Sequence, residues 1–197
     1  MEKKISDPSI FLLLGFGFGL AVLGVQQLMP AKPELIGAAT YATLVAAMAE
    51  FLGGLWAFAR RDTYLGAIGS TFGAWLIGYY LLVTDGVASQ IYHPQSAGLY
   101  CFALIIPVVM LAIPAFRLRL AAFSAVFVFL VLLLFFLGMA GVVTTGSEWW
   151  ARLGGISSLI TAALLWYSAL GAITGLVGEM TAPANSPDSG PRAGSGE

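Results

Sequence analysis

"AAMAEFLGGLWAFARRD", residues 46–62, holds a single glutamate, Glu50, inside an apolar run that extends from Leu35 to Ala59 and stops at Arg60 and Arg61. At 1.5 Å per residue a helix of that length crosses a hydrocarbon core of about 30 Å. Glu50 then lies about 15 Å from the arginines, near mid-membrane. A charged carboxylate facing lipid at that depth costs at least ~2.5 kcal/mol. The run therefore reads as a membrane span whose glutamate faces the interior of a helix bundle or a watery path.

The rest of the chain agrees with that reading. It has 197 residues, 59% hydrophobic and 10% charged, with a mean hydropathy of +0.89, whereas a soluble domain carries about 25% charged residues. Too little polar surface remains for a water-facing shell, so the fold class is an all-α membrane protein. The net charge of −1 offers no basic surface for nucleic acid. One cysteine, Cys101, excludes an internal disulfide and any paired-cysteine redox or zinc site. One histidine, His93, cannot supply a bis-histidine haem or a histidine metal cluster. Cys101 reads as a packing residue and His93 as a loop residue, and no cofactor is expected.

Charges and Pro or Gly clusters divide the chain into six transmembrane helices at about 8–29, 35–59, 63–83, 96–115, 120–143 and 153–178. The runs are continuously apolar rather than alternating, which favours helices over a barrel. The first run is longer than a signal-peptide core and lacks a small-residue cleavage site, so it reads as a retained span. Lys3, Lys4, Arg60, Arg61, Arg117, Arg119 and Arg192 fall on one side, and Lys32 and Arg152 on the other. Seven cations against two place both termini in the cytoplasm. The expected organisation is an N-terminal segment 1–7, a six-helix domain 8–180 and a disordered proline-rich tail 181–197.

Gly15 and Gly19, Gly69 and Gly73, and Gly171 and Gly175 form three GxxxG pairs, which let helix backbones approach closely. The fifth span, "AAFSAVFVFLVLLLFFLG", is bulky on every face and suits lipid or subunit contacts. Ala46, Ala47, Gly53 and Gly54 lie three or four positions from Glu50 and share its general face. No Lys or Arg lies inside a span, so Glu50 has no ion-pair partner, and desolvation favours its neutral acid. The other polar groups within spans include Thr43, Ser70, Thr71, Thr161 and Tyr167, several beside aromatics such as Phe16, Phe72 and Trp166. Scattered hydroxyls, rings and no fixed charge suit a narrow path for a small neutral or singly charged solute.

The stretches "DPSIFLLLGFG" (7–17), "AEFLGGLWAFARRDTYLGAIGSTFGAWL" (49–76) and "GGISSLITAALLWYSA" (154–169) resemble, in order and spacing, the acetate uptake transporter family. The resemblance implies a six-helix protomer within a homo-hexameric ring in the inner (plasma) membrane of a bacterium. Each protomer would carry its own path for acetate and related small carboxylates, with protons as a further partner. In the family an aromatic–aliphatic–aromatic constriction closes that path. Its members match Phe16, Phe72 (commonly tyrosine in the family) and Val128. The family's N-terminal NPAPLGL motif reads "DPSIFLL" here, with Asp7 in place of asparagine and Pro8 kept. Asp7 and Pro8 form an N-cap and N1 pair for the first helix. Glu50 stands where a bacterial member carries glutamine.

The residues therefore point to a transporter or channel for a short monocarboxylate, moving with its proton or as the neutral acid. A urea- or amide-type channel for small neutral solutes and a non-transporting structural subunit are the alternatives. An enzyme is not expected. The spans contain neither a serine nucleophile with a histidine or lysine base nor two mid-membrane aspartates, since Asp62 and Asp85 sit near span ends.

Overall fold

Hydrocarbon offers no partners for backbone N–H and C=O groups, so each apolar run satisfies its own by becoming a helix. The computed structural model describes residues 7–29, 32 and 34–181, with side chains as far as Gly175. The helices are α1 Ser9–Leu28, α2 Glu34–Ala59, α3 Thr63–Ala88, α4 Pro94–Arg117, α5 Ala121–Val142 and α6 Ser147–Thr181. All six are long and apolar enough to cross a membrane. Lys3, Lys4, Arg192 and the tail beyond Thr181 lie outside the described residues.

Several boundaries differ from the expected ones, α4 and α6 also ending later, at Arg117 and Thr181. α3 runs past residue 83 to Ala88, where Gln90 takes a left-handed φ of 59° and Ile91 N–H reaches back to Gly86 O. α4 starts at Pro94, two residues early, because proline is well suited to the first helical turn. α6 starts at Ser147 rather than 153, since Gly146, at φ 77°, makes the turn directly before it. The α2–α3 and α4–α5 turns are tight, with Arg61 and Arg119 left-handed and the N–H of the next residue bonded to Ala57 O and Ala115 O. This is the Schellman closure of a helix end.

The helices form a ring in chain order. α1 packs on α2 and α6, α2 on α3, α4 on α5, and α5 on α6, while α3 and α4 barely touch through their backbones. Glycine sets the closest seams. A Cβ added at Gly19 would lie 3.0 Å from Ala42 O, and one at Gly69 would lie 2.8 Å from Glu50 O and 2.9 Å from Gly54 Cα. Gly15 faces the Ala49 methyl and Gly73 the backbone of Phe51, so α2 is gripped on both flanks. The third pair departs from expectation, since a Cβ at Gly171 or Gly175 would meet nothing within 4 Å. Between α1 and α6, Ser158 Oγ donates to Leu20 O at 2.7 Å and Trp166 Nε1 to Leu14 O at 3.3 Å.

The α3–α4 seam closes differently. Tyr64 Oη donates to Leu111 O at 2.6 Å and Tyr100 Oη to Trp75 O at 2.9 Å, so tyrosines reach across where the backbones do not. α5 was expected to serve lipid or subunit contacts. It also packs between α4 and α6 and buries Val126, Phe127, Leu130, Leu133 and Leu134.

The arginine-rich end is tied together by Asp7. Its Oδ1 accepts the Ser9 N–H at 2.9 Å and meets Arg60 Nη1 at 3.1 Å. Pro8 has helical torsions and its carbonyl accepts from Leu12 N–H, so α1 in effect begins there. Partial burial alone would raise the Asp7 pKa, but the Ser9 hydrogen bonds and the Arg60 guanidinium together hold it below the usual carboxylate value.

Two outcomes follow for stability. Gly69→Val should lower thermal stability in detergent by about 1–3 kcal/mol through overpacking, while Gly171→Ala should leave it within about 0.5 kcal/mol. Because the Asp7 pKa is depressed on folding, its stabilisation is present above the unfolded carboxylate value and is lost as pH falls through the folded one. Asp7→Asn should therefore cost up to about 1 kcal/mol at pH 7, an upper bound for a solvent-screened pair. The difference should vanish in acid melts below the carboxylate range.

Candidate functional site

The ring encloses two small chambers, one after the other. The first, near the arginine-rich end, is lined by Leu12, Leu13, Phe16, Glu50, Leu65, Ile68, Phe72, Phe123, Val126, Phe127, Leu130 and Leu165. The second is lined by Phe16, Leu20, Leu23, Thr43, Trp75, Leu76, Tyr79, Cys101, Leu130, Leu133, Leu134 and Leu137. Each holds about 30 Å³, room for two or three waters at about 10–15 Å³ each.

Phe16 and Leu130 border both chambers and so form the partition between them. Phe16 stacks on Phe72 with ring centroids 5.6 Å apart and planes 25° apart. The three side chains come from α1, α3 and α5, and all are buried. Phe16 is placed by Gly15 and Gly17, which let α1 press on Ala49 of α2 and on the Trp166 indole of α6. Phe72 is placed in the same way by Gly69 and Gly73 on α2.

Val128 departs from the expected constriction. It is 44% exposed and lines an outer groove with Val109, Ile113, Phe116 and Arg117, whereas Leu130 is 2% exposed and sits on the axis. The reason is helical geometry: two residues turn a side chain by roughly 200° at 3.6 residues per turn. α5 is apolar on every face, so its sequence carries no mark of which face is inward.

Glu50 is 4% exposed and is the one ionisable residue lining the first chamber. Among the described residues no hydrogen bond or salt bridge engages its carboxyl. Its small neighbours Ala46, Ala47, Gly53 and Gly54 are all buried but line neither chamber, Gly53 packing on Leu12 and Gly54 on Gly69 and Ser70. Thr43 lies seven positions before it, about 10 Å along the same inner face of α2. It lines the second chamber, with its hydroxyl donating to Ala39 O at 2.9 Å.

The remaining expected path residues are not brought together. Thr161 is buried but lines neither chamber, and its hydroxyl donates to Ser157 O at 2.8 Å. Ser70 lies in the α2–α3 seam against Gly54, with its Oγ buried and unpartnered. Thr71 is exposed and Tyr167 is 70% exposed, so both face outward. Conversely, Leu76, Tyr79 and Cys101 line the second chamber without having been singled out as path residues. The spacing of Phe72, Leu76 and Tyr79, at i, i+4 and i+7, was the available signal for the first two.

Among solved structures, the bacterial acetate channel SatP shares this fold, with a TM-score of 0.78 at 16% sequence identity over 88% of this chain and 95% of that one. No curated protein matches the chain significantly. The sequence profile described as the GPR1/FUN34/yaaH family matches residues 1–185, nearly the whole length. With its six membrane-crossing helices closed around a partitioned axis, the chain belongs to the GPR1/FUN34/yaaH family.

Proposed function

We propose that the protein conducts acetate or a similar short monocarboxylate across the membrane, through the axis of each protomer. The observation that carries this reading is the pair of small chambers separated by Phe16, Phe72 and Leu130. A partition of that kind sets an upper size for the solute. The absence of any Lys or Arg from the chamber linings argues against a multiply charged anion. Family membership and the fold shared with an acetate channel point the same way. The excess of arginines at the Asp7 end supports cytoplasmic termini, and the family resemblance supports a homo-hexamer.

Glu50 acts in this scheme as the neutral acid and donates a hydrogen bond to the passing carboxylate. Burying it charged among apolar side chains without a cation would be costly. An ionised Glu50 would also repel an acetate ion by about 4 kcal/mol at about 4 Å, for an effective dielectric near 20. That is roughly a thousandfold in occupancy.

A urea- or amide-type solute is the second reading, favoured by the same uncharged lining. Radiolabelled acetate and urea uptake into proteoliposomes, with and without an imposed pH gradient, separates the two. Acetate flux that rises with an inward proton gradient supports carriage with a proton. Urea flux without acetate flux overturns the carboxylate reading.

Substitutions at the partition and at Glu50 test the parts. Phe16→Ala, Phe72→Ala and Leu130→Ala should each admit longer monocarboxylates such as butyrate, while Val128→Ala keeps wild-type selectivity. Variants that lose stability but keep selectivity would make the rings core packing only. Glu50→Gln keeps a donor and removes a titration, so it should stay active with a flatter pH–flux profile, and Glu50→Ala should lose more activity. A Gln variant with the wild-type pH profile would leave Glu50 a purely structural hydrogen-bonding group.

A further inference from the structure

We propose a second carboxylate-binding station in the chamber beyond the partition, with the indole N–H of Trp75 as its donor. This rests on the reading that a small carboxylic acid or its anion traverses the ring. Trp75 lines that chamber together with Thr43, Tyr79 and Cys101. Its Nε1 is buried and has no hydrogen-bond partner among the described residues. A buried N–H without a partner is destabilising and uncommon in native structures, and a guest molecule is one of the few things that explains it. Phenylalanine would fill the site without that cost.

The indole is also held in place. Its ring stacks on Tyr79 at 6.0 Å and on Tyr100 at 5.7 Å, with planes 25° and 16° apart. Tyr100 Oη donates to the Trp75 backbone carbonyl at 2.9 Å, which fixes the same segment of α3. Indole nitrogen is a donor only, so its partner must present an acceptor oxygen. The Thr43 hydrogen is already committed to Ala39 O. No charged side chain lines the chamber, so a carboxylate oxygen there is recognised by dipoles, and of the donors on Trp75, Tyr79 and Cys101 the Trp75 N–H is the one found buried and without a partner among the described residues. Ser70 Oγ, also buried and unpartnered, lines neither chamber and carries no such inference.

The two stations are then complementary. Glu50 offers a hydrogen on one side of Phe16, and Trp75 offers one on the other. A solute crossing the partition leaves one donor for the next rather than entering an apolar gap.

The test uses the full-length protein with ¹⁵N-labelled tryptophan in lipid nanodiscs. The Trp75 indole resonance is assigned by its loss in Trp75→Phe and followed during titration with sodium acetate, against sodium chloride at equal ionic strength. A saturable shift with acetate and none with chloride is expected. In proteoliposomes, Trp75→Phe should raise the half-saturating acetate concentration about tenfold, with the maximal rate kept. A resonance that acetate leaves unmoved, meaning that the N–H meets water alone, overturns the station. So does a Trp75→Phe variant with wild-type half-saturation. An acetate shift in a protein that carries no acetate flux would instead sustain the station and defeat the transport reading.

Discussion

The grip of α1 and α3 on α2 through glycine is the contact on which the rest of the ring depends. Apolar side chains gain little by leaving lipid for another helix, so close backbone approach has to supply the association. Gly15 and Gly19 press one flank of α2, and Gly69 and Gly73 press the other. The same residues bring Phe16 and Phe72 into stacking distance. Glu50 sits between the two flanks, its carbonyl within the α2–α3 seam and its side chain in the chamber. Packing and path are thus built from one set of positions.

The interior is polar in a restricted sense. Several hydroxyls within the spans, such as Thr43, Thr161 and Ser168, bond to a carbonyl one turn earlier on their own helix. Such groups are satisfied and present mainly lone pairs. The chamber linings add a carboxyl on α2 and an unpartnered indole N–H on α3, with Phe16 and Leu130 between their chambers.

The number of helices, their all-α class and the inward face of α2 were legible in the sequence, because charges punctuate the runs and Glu50 cannot face lipid. Two of the three glycine pairs pack as their spacing implied, and Gly171 with Gly175 faces open space. The inward face of α5 was not legible. Val128 and Leu130 have the same chemistry, and only the rotation of the helix tells them apart. Thr71 and Tyr167 misled for a related reason, since a polar residue in a span can face outward when it lies off the packed flank. Trp75 was hidden by its type, as a tryptophan on an apolar face reads as core until its nitrogen is found without a partner.

The α3–α4 seam gives the ring a direction of compliance. The other five seams join neighbouring backbones along their length, whereas this one is spanned by Tyr64 and Tyr100 hydrogen-bonding to opposing carbonyls. Side chains swing more readily than glycine-packed backbones separate. The circumference is therefore built like a split collar, joined backbone to backbone around most of its length and bridged by side chains at one gap. The second chamber is the one whose wall crosses that gap, with Trp75, Leu76 and Tyr79 on one lip and Cys101 on the other, whereas the first chamber, with Glu50, is lined by no residue of α4.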